Sequence, residues 1–410
     1  MNGNRYNSYI LEEFILLVLI PIYDFVCLCK YVPVRVFKRK KEEKFQRLRF
    51  ILKKIYDAEV TLEQDHHFKR KVLSFFLEKF KEFCMSENEV FKDFFQGYYY
   101  TGSYFEGLRV SKATEFDVNA VFSIPTNLDY WINELEAPLS YATIKLKHDA
   151  FDDKTRFFFD EESFLVGKKL RSWFRSLVES FISYTELAYP GLLQIKITHS
   201  GPACTLKVLY NMVWISIDLV PVFSLDATLL QKYTLKNIVN VSKESLLNCV
   251  LVPKPLKMEL SDMLTSNSVE RAWRIHFPET EKEILKGKNT LKPIIKLMKD
   301  LRDKEMWPIP SYFIKVVAFW LIKENPQQYF WSDSRLGLSF LKFLEAMEKY
   351  LEAKHLGHIM YPKFNLFHSL NPRTLKNMQI RIHRIIVKLK KHPILAYQLF
   401  KVPILDHCLL

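Results

Sequence analysis

Thr101-Gly-Ser-Tyr-Phe-Glu-Gly-Leu-Arg-Val-Ser-Lys-Ala-Thr-Glu-Phe-Asp-Val118 is the stretch on which the fold turns. From Phe116 to Phe122 apolar and polar residues alternate, the period of a half-buried strand. Phe116, Val118, Ala120 and Phe122 fall on one face, and Glu115, Asp117 and Asn119 on the other. The two carboxylates are then about 7 Å apart along the strand, at roughly 3.3 Å of rise per residue. Like charges held on one face repel, so such a pair implies a bound cation or a shared proton, although exposed strands also carry Glu-x-Asp without function. Gly102 permits an unusual turn, and Ser103 adds a hydroxyl and an N–H suited to a phosphate oxygen.

A second segment, Trp214-Ile-Ser-Ile-Asp-Leu-Val-Pro221, has the same alternation. Ile215, Ile217 and Leu219 share the core face and leave Asp218 opposite, with Ser216. Pro221 lacks an N–H and would close the strand. If the two strands are neighbours, Asp218 becomes a third carboxylate beside Glu115 and Asp117. Three acids at one point suit two Mg²⁺ or Mn²⁺ ions roughly 3.5–4 Å apart, the geometry of in-line nucleotidyl transfer.

Outward from these segments, apolar residues at helical spacing run from Glu42 to about Phe83. Strands alternate with helices from Tyr98 to Phe223, with further short strands at Leu192–Thr198 and Thr205–Leu209. Beyond Ser266 the pattern is helical, over Ile284–Leu301, Ser311–Lys323, Leu336–Ala353 and Leu375–Leu389. The class is α+β, a mixed-sheet core with a helical second lobe, divided at 1–41, 42–265 and 266–410.

Composition bounds the partners. With 49% hydrophobic residues in 410, the chain has enough apolar surface to fold, and 10 Gly and 18 Pro exclude collagen-like classes. Sixty Lys and Arg against 46 Asp and Glu leave a net charge of +14, which points to a polyanionic partner. Cys27, Cys29, Cys84, Cys204, Cys249 and Cys408 are dispersed, without zinc-site spacing, and read as free thiols of an intracellular chain. The uncharged run Phe14–Tyr23 is shorter than the ~20 residues of a bilayer span. Residues 14–37 with Lys38–Lys41 after them suit a packed helix, or weak membrane association with Cys27 and Cys29 as acylation sites.

The Thr101–Val118 stretch resembles the signature of cyclic GMP–AMP synthase and the animal cyclic GMP–AMP synthase-like receptors. The resemblance continues through Gly201-Pro-Ala-Cys-Thr-Leu206, Ile215-Ser-Ile-Asp-Leu219 and Ala272-Trp-Arg-Ile-His-Phe277 with Glu281-Lys-Glu-Ile-Leu285. It ends with Leu297-Met-Lys299, Pro310-Ser-Tyr312 and Pro362-Lys-Phe-Asn-Leu-Phe367, and spans roughly Glu42 to Pro393. It implies a bilobal nucleotidyltransferase fold whose N-terminal helix is a spine. It further implies that Glu115, Asp117 and Asp218 bind metal and carry catalysis, and that Gly102 and Ser103 grip a triphosphate together with Lys299 and Ser311. Arg274 would contact a base and Tyr312 would stack on one. Where the vertebrate enzyme inserts a His/Cys zinc ribbon, this chain has only Lys286-Gly-Lys-Asn-Thr-Leu-Lys292, so no zinc is implied, as in the insect receptors. His276 replaces a small hydroxyl residue of the vertebrate enzyme, which leaves base choice and linkage open.

Basic stretches at Lys38–Lys54, Lys286–Lys304 and Arg373–Lys391 are candidate nucleic-acid surfaces or solvated helix faces. The resemblance favours the first two, hence Lys40, Lys41, Lys44, Arg47, Lys54, Lys286, Lys288 and Lys292. The implied activity is synthesis of a cyclic dinucleotide from ATP and GTP in the cytoplasm, triggered by double-stranded nucleic acid, RNA before DNA, with a ligand-induced dimer in view. A silent binding scaffold and a linear oligonucleotide synthetase are the alternatives.

Overall fold

The computed structural model describes residues 42–60, 66–110, 115–124, 130–134, 140–147, 153–188, 193–210, 212–230, 241–242, 245, 248–254 and 266–403. Phe14–Phe37, Lys40 and Lys41 lie outside them.

The first helix, α1, covers residues 42–55, and a π turn follows at Tyr56–Val60. Helix α2 (His66–Glu87) and helix α3 (Glu89–Phe94) lead into strand β1 (Phe95–Thr101). Asn88 accepts a hydrogen bond from the Phe91 N–H and so caps α3. The helical spacing expected to Phe83 is carried by α1 and α2. A four-residue helix, α4 (Gly102–Phe105), then turns the chain into β2 (Glu115–Phe122).

Among the described residues the sheet has nine strands. Along the main path β1, β2, β7 (Val213–Asp226), β8 (Asn248–Val252), β9 (Trp273–His276), β4 (Tyr141–Leu146) and β3 (Tyr130–Asn133) are neighbours. Strands β5 (Leu193–Ser200) and β6 (Ala203–Tyr210) pair with each other, and β6 with β7. The β2–β7 pair is parallel and the other pairings are antiparallel, so the sheet is mixed. The expected core faces hold: Phe116, Val118, Ile217 and Leu219 are buried. Aromatic rings of α2 and of α5 (Gly167–Ala188) pack edge to face there, Phe76 and Phe80 against Phe174 and Phe181.

Strand β9 departs from the helical pattern expected beyond Ser266. Its four residues are too few to show a period, yet Val250, Leu251 and Val252 of β8 hold it in the sheet, and Trp273 is fully buried. After it come α6 (Pro278–Ile284), α7 (Leu291–Lys304), α8 (Ser311–Glu324), α9 (Leu336–Glu352), α10 (Pro372–Lys391) and α11 (Leu395–Leu399). The run expected from Ile284 to Leu301 breaks at Gly287, whose φ of 72° a helix does not take. Gly337 in α9 lets α1 approach closely: a Cβ there would stand 2.3 Å from the Phe45 carbonyl oxygen. Lys296 lies 5.5 Å from the Tyr56 ring centroid and joins α7 to the π turn. Cys84, Cys204 and Cys249 are buried free thiols, and no described helix is long and apolar enough to cross a membrane.

Candidate active site

The parallel register places Asp117 opposite Asp218, and Glu115 opposite Ser216. Antiparallel pairing on the other side of β7 sets Thr205 opposite Asp218, and the Thr205 hydroxyl donates to Asp218 Oδ1 at 2.7 Å. Acids from separate segments are thus brought to one sheet face, which the sequence posed only as a condition. Burial, then Asp218 and Glu115, raise the Asp117 carboxyl to about 6. Asp218 is also raised, first by burial, against the opposing effect of the Thr205 hydrogen bond.

Gly102 follows β1 directly and is required on two counts. Its φ is 75°, and a Cβ would fall 1.9 Å from Asp117 Oδ2. The turn is closed by the Leu108 N–H donating to the Ser103 carbonyl at 2.7 Å.

Glu115, on the same face, is engaged by a cation. The Arg109 guanidinium Nη1 lies 3.0 Å from its Oε2. Among the described residues no three carboxylate, histidine or cysteine side chains are gathered to hold an ion as they stand. The donor set nevertheless fits a hard divalent cation, since all three groups offer carboxylate oxygen, and burial, with neighbouring carboxylates, raises Asp117 and Asp218.

A pocket of about 220 Å³ between sheet and helical lobe gathers Gly102, Ser103, Lys299, Ser311 and Tyr312. Lys299 is buried rather than solvated on its lysine-rich helix. Its Nζ donates to the Leu108 carbonyl at 2.8 Å, and burial, with Arg302 and Arg109, lowers it to about 8. The Arg274 guanidinium lies 5.9 Å from the Tyr312 ring centroid. The Tyr312 hydroxyl donates to Glu281 Oε1 at 2.9 Å and lies 2.9 Å from His358 Nε2. Burial lowers His358 to about 4, and its Nδ1 accepts the Met360 N–H, so the neutral ring carries its proton on Nε2 and donates to the tyrosine oxygen.

The sequence reading missed the floor of this pocket. Lys315 Nζ lies 2.6 Å from Glu106 Oε1 and 2.8 Å from Glu281 Oε2, all three side chains being buried. A lysine inside the apolar run of α8 was the one signal available for it. Of the cations assigned to nucleic acid, Lys44, Arg47, Lys54 and Lys286 are exposed and Lys292 is half-buried. Lys288 differs from the others: it is buried, and its ammonium donates to the Ile284 and Lys286 carbonyls, where it caps the end of α6.

Residues 104–287 match the Mab-21 protein nucleotidyltransferase domain, and residues 290–384 match the Mab-21 protein HhH/H2TH-like domain. The chain belongs to the Mab-21 nucleotidyltransferase family. It is similar to a cyclic GMP-AMP synthase-like receptor of Ctenocephalides felis, 26% identical over 85% of this chain and 86% of that one. Receptors of the same name from Microplitis demolitor and Tribolium castaneum are each 29% identical. They cover 83% and 81% of this Mab-21 chain, and 65% and 86% of their own length. The α+β bilobal architecture is that of the family, whose nucleotidyltransferase domain typically works with divalent metal ions.

Proposed function

We propose that this chain is a nucleic-acid-activated nucleotidyltransferase that makes a cyclic dinucleotide of the cyclic GMP–AMP type from ATP and GTP, with double-stranded RNA as its trigger. The observation that carries the reading is the register pair Asp117–Asp218 beside the Gly102 turn. The names of the relatives point the same way.

In this reading Glu115, Asp117 and Asp218 hold Mg²⁺ or Mn²⁺, which would supply charge neutralisation of the triphosphate and acidify the attacking ribose hydroxyl. The turn at Gly102 and Ser103, with Lys299 and Ser311, binds the triphosphate and orients its leaving pyrophosphate. Tyr312, held by Glu281 and His358, offers its ring to a base, and Arg274 addresses the same base. Lys299 must exchange the Leu108 carbonyl for phosphate, and Glu115 must leave Arg109. The exposed Lys44, Arg47, Lys54 and Lys286 take the duplex through phosphate and ribose, and Lys40, Lys41 and Lys292 are assigned to the same role. Such binding is insensitive to sequence and weakens with salt. A cytoplasmic location, weak membrane contact through residues 14–37 and a ligand-induced dimer belong to the same reading.

The test is to incubate purified protein with ATP, GTP and Mg²⁺, with duplex RNA, duplex DNA or neither, and to analyse products by mass. A cyclic dinucleotide formed with RNA supports the proposal, and linear products redirect it to an oligonucleotide synthetase. No product with any nucleic acid, metal or nucleotide overturns it. The Arg109–Glu115 pair favours one rival, a nucleotide-binding scaffold without turnover, which would show nucleotide-dependent thermal stabilisation and no product.

A further inference from the structure

The acid face of the sheet continues past the carboxylates onto the β5–β6 hairpin. Lys196 pairs with Lys207, Lys207 with Ser216, and Ser216 with Glu115, so these four residues form one row across four strands. The adjacent row is Thr198, Thr205, Asp218 and Asp117. The Thr205–Asp218 hydrogen bond confirms that both rows face the same way. At about 4.8 Å per strand, the Lys207 backbone is roughly 10 Å from that of Glu115, and the Lys196 backbone roughly 14 Å.

Both lysines are exposed, while Leu206 and Val208 on the reverse of β6 are buried and fix the strand. Two ammonium groups directly opposite each other on a sheet are destabilising. Neither makes an ion pair with a carboxylate among the described residues. Lys196 Nζ lies 5.8 Å from the ring centroid of Trp214, whose side chain is 43% exposed. A like-charge pair with one member over an indole ring is the arrangement a polyanion relieves.

Transfer between two nucleoside triphosphates brings two polyanionic chains to one set of carboxylates. The donor's chain is assigned to Gly102, Ser103, Lys299 and Ser311, on the β1 side of the acids. Strands run in the order β1, β2, β7, β6, β5 there, so β2 and β7 separate that grip from the lysines. Repulsion between the chains directs the second one toward β6 and β5. We infer that Lys196 and Lys207 form the subsite for the 5′-triphosphate of the acceptor nucleotide. The inference rests on the nucleotidyl-transfer reading above and extends it to a second phosphate grip.

Lys207→Glu tests it, because the change replaces a like-charge pair by an ion pair and favours the fold. Calorimetry with α,β-methylene analogues of ATP and GTP, each with Mn²⁺, is expected to give two bound nucleotides per chain for the unchanged protein. The variant should bind one, or bind the second at least tenfold more weakly, with an equal or higher melting temperature. Lys299→Gln should weaken the other nucleotide instead. Binding by Lys207→Glu within twofold of the unchanged protein at every site overturns the subsite and leaves the transferase reading standing. A lower melting temperature of the variant counts against the strained pair itself. If the unchanged protein binds neither analogue, the transferase reading falls and the subsite with it.

Discussion

At Asp117, burial and two neighbouring carboxylates hold the protonated form up to about pH 6. A carboxyl raised in the folded chain contributes stability below its unfolded value, and that contribution is lost as pH rises through the folded value. The metal-free protein should therefore melt at progressively lower temperature between about pH 4 and 6. Above that window Mg²⁺ or Mn²⁺ should restore the melting temperature. Asp117→Asn should melt a few degrees higher than the unchanged protein in EDTA at pH 7 and gain nothing from metal. Equal melting of the two in EDTA would contradict the repulsion. Arg109 acts in the opposite sense, because its guanidinium engages Glu115 and stands where a cation would draw that carboxylate. Arg109→Gln should bind Mn²⁺ several-fold more tightly by electron paramagnetic resonance titration without nucleotide, and weaker binding would assign Arg109 a supporting role.

Among elements, the β1–α4 junction carries the tightest constraint in the site. Gly102 abuts Asp117, so Gly102→Ala must both strain the backbone and push the carboxylate aside. Displacement of a reacting group by about 1 Å costs on the order of 100-fold in rate, and at least that loss is expected in steady-state turnover. Melting should fall only modestly, because the turn lies at the surface of the sheet. A variant with full turnover would show that Asp117 is not needed where it lies. The neighbouring segment Leu108–Arg109 holds two groups at once, Lys299 through a carbonyl and Glu115 through a side chain. In the proposed function both must let go before a nucleotide and its metal settle.

Across the whole molecule, the buried ammonium of Lys315 is a charged tie between the two lobes. Lys315 of α8 lies between Glu106, just past α4, and Glu281 of α6, beneath the pocket that the lobes share. Opposing charges hold Glu281 well below the ordinary carboxylate range against its burial, and its two partners keep Lys315 above the ordinary lysine value. Lys315→Met leaves two buried carboxylates face to face and should cost roughly 3–5 kcal/mol in chemical denaturation. Adding Glu281→Gln should recover part of that loss. A loss below about 1 kcal/mol would mean that this ion pair contributes little to holding the lobes together.

The alternation of Phe116–Phe122 and Trp214–Val220 determined two strands and the face on which each acid stands, because burial on one side of a strand imposes a period of two locally. It also determined, with the motifs quoted from Thr101 to Phe367, the class of the fold. Tertiary structure alone decided that β2 and β7 run parallel with Asp117 opposite Asp218, since pairing between segments about a hundred residues apart leaves no trace in either period. It also decided the strand at Trp273, too short for any pattern, and the fate of Lys299 and Lys315, where a neighbouring lobe covers lysines that a helix by itself would leave in water.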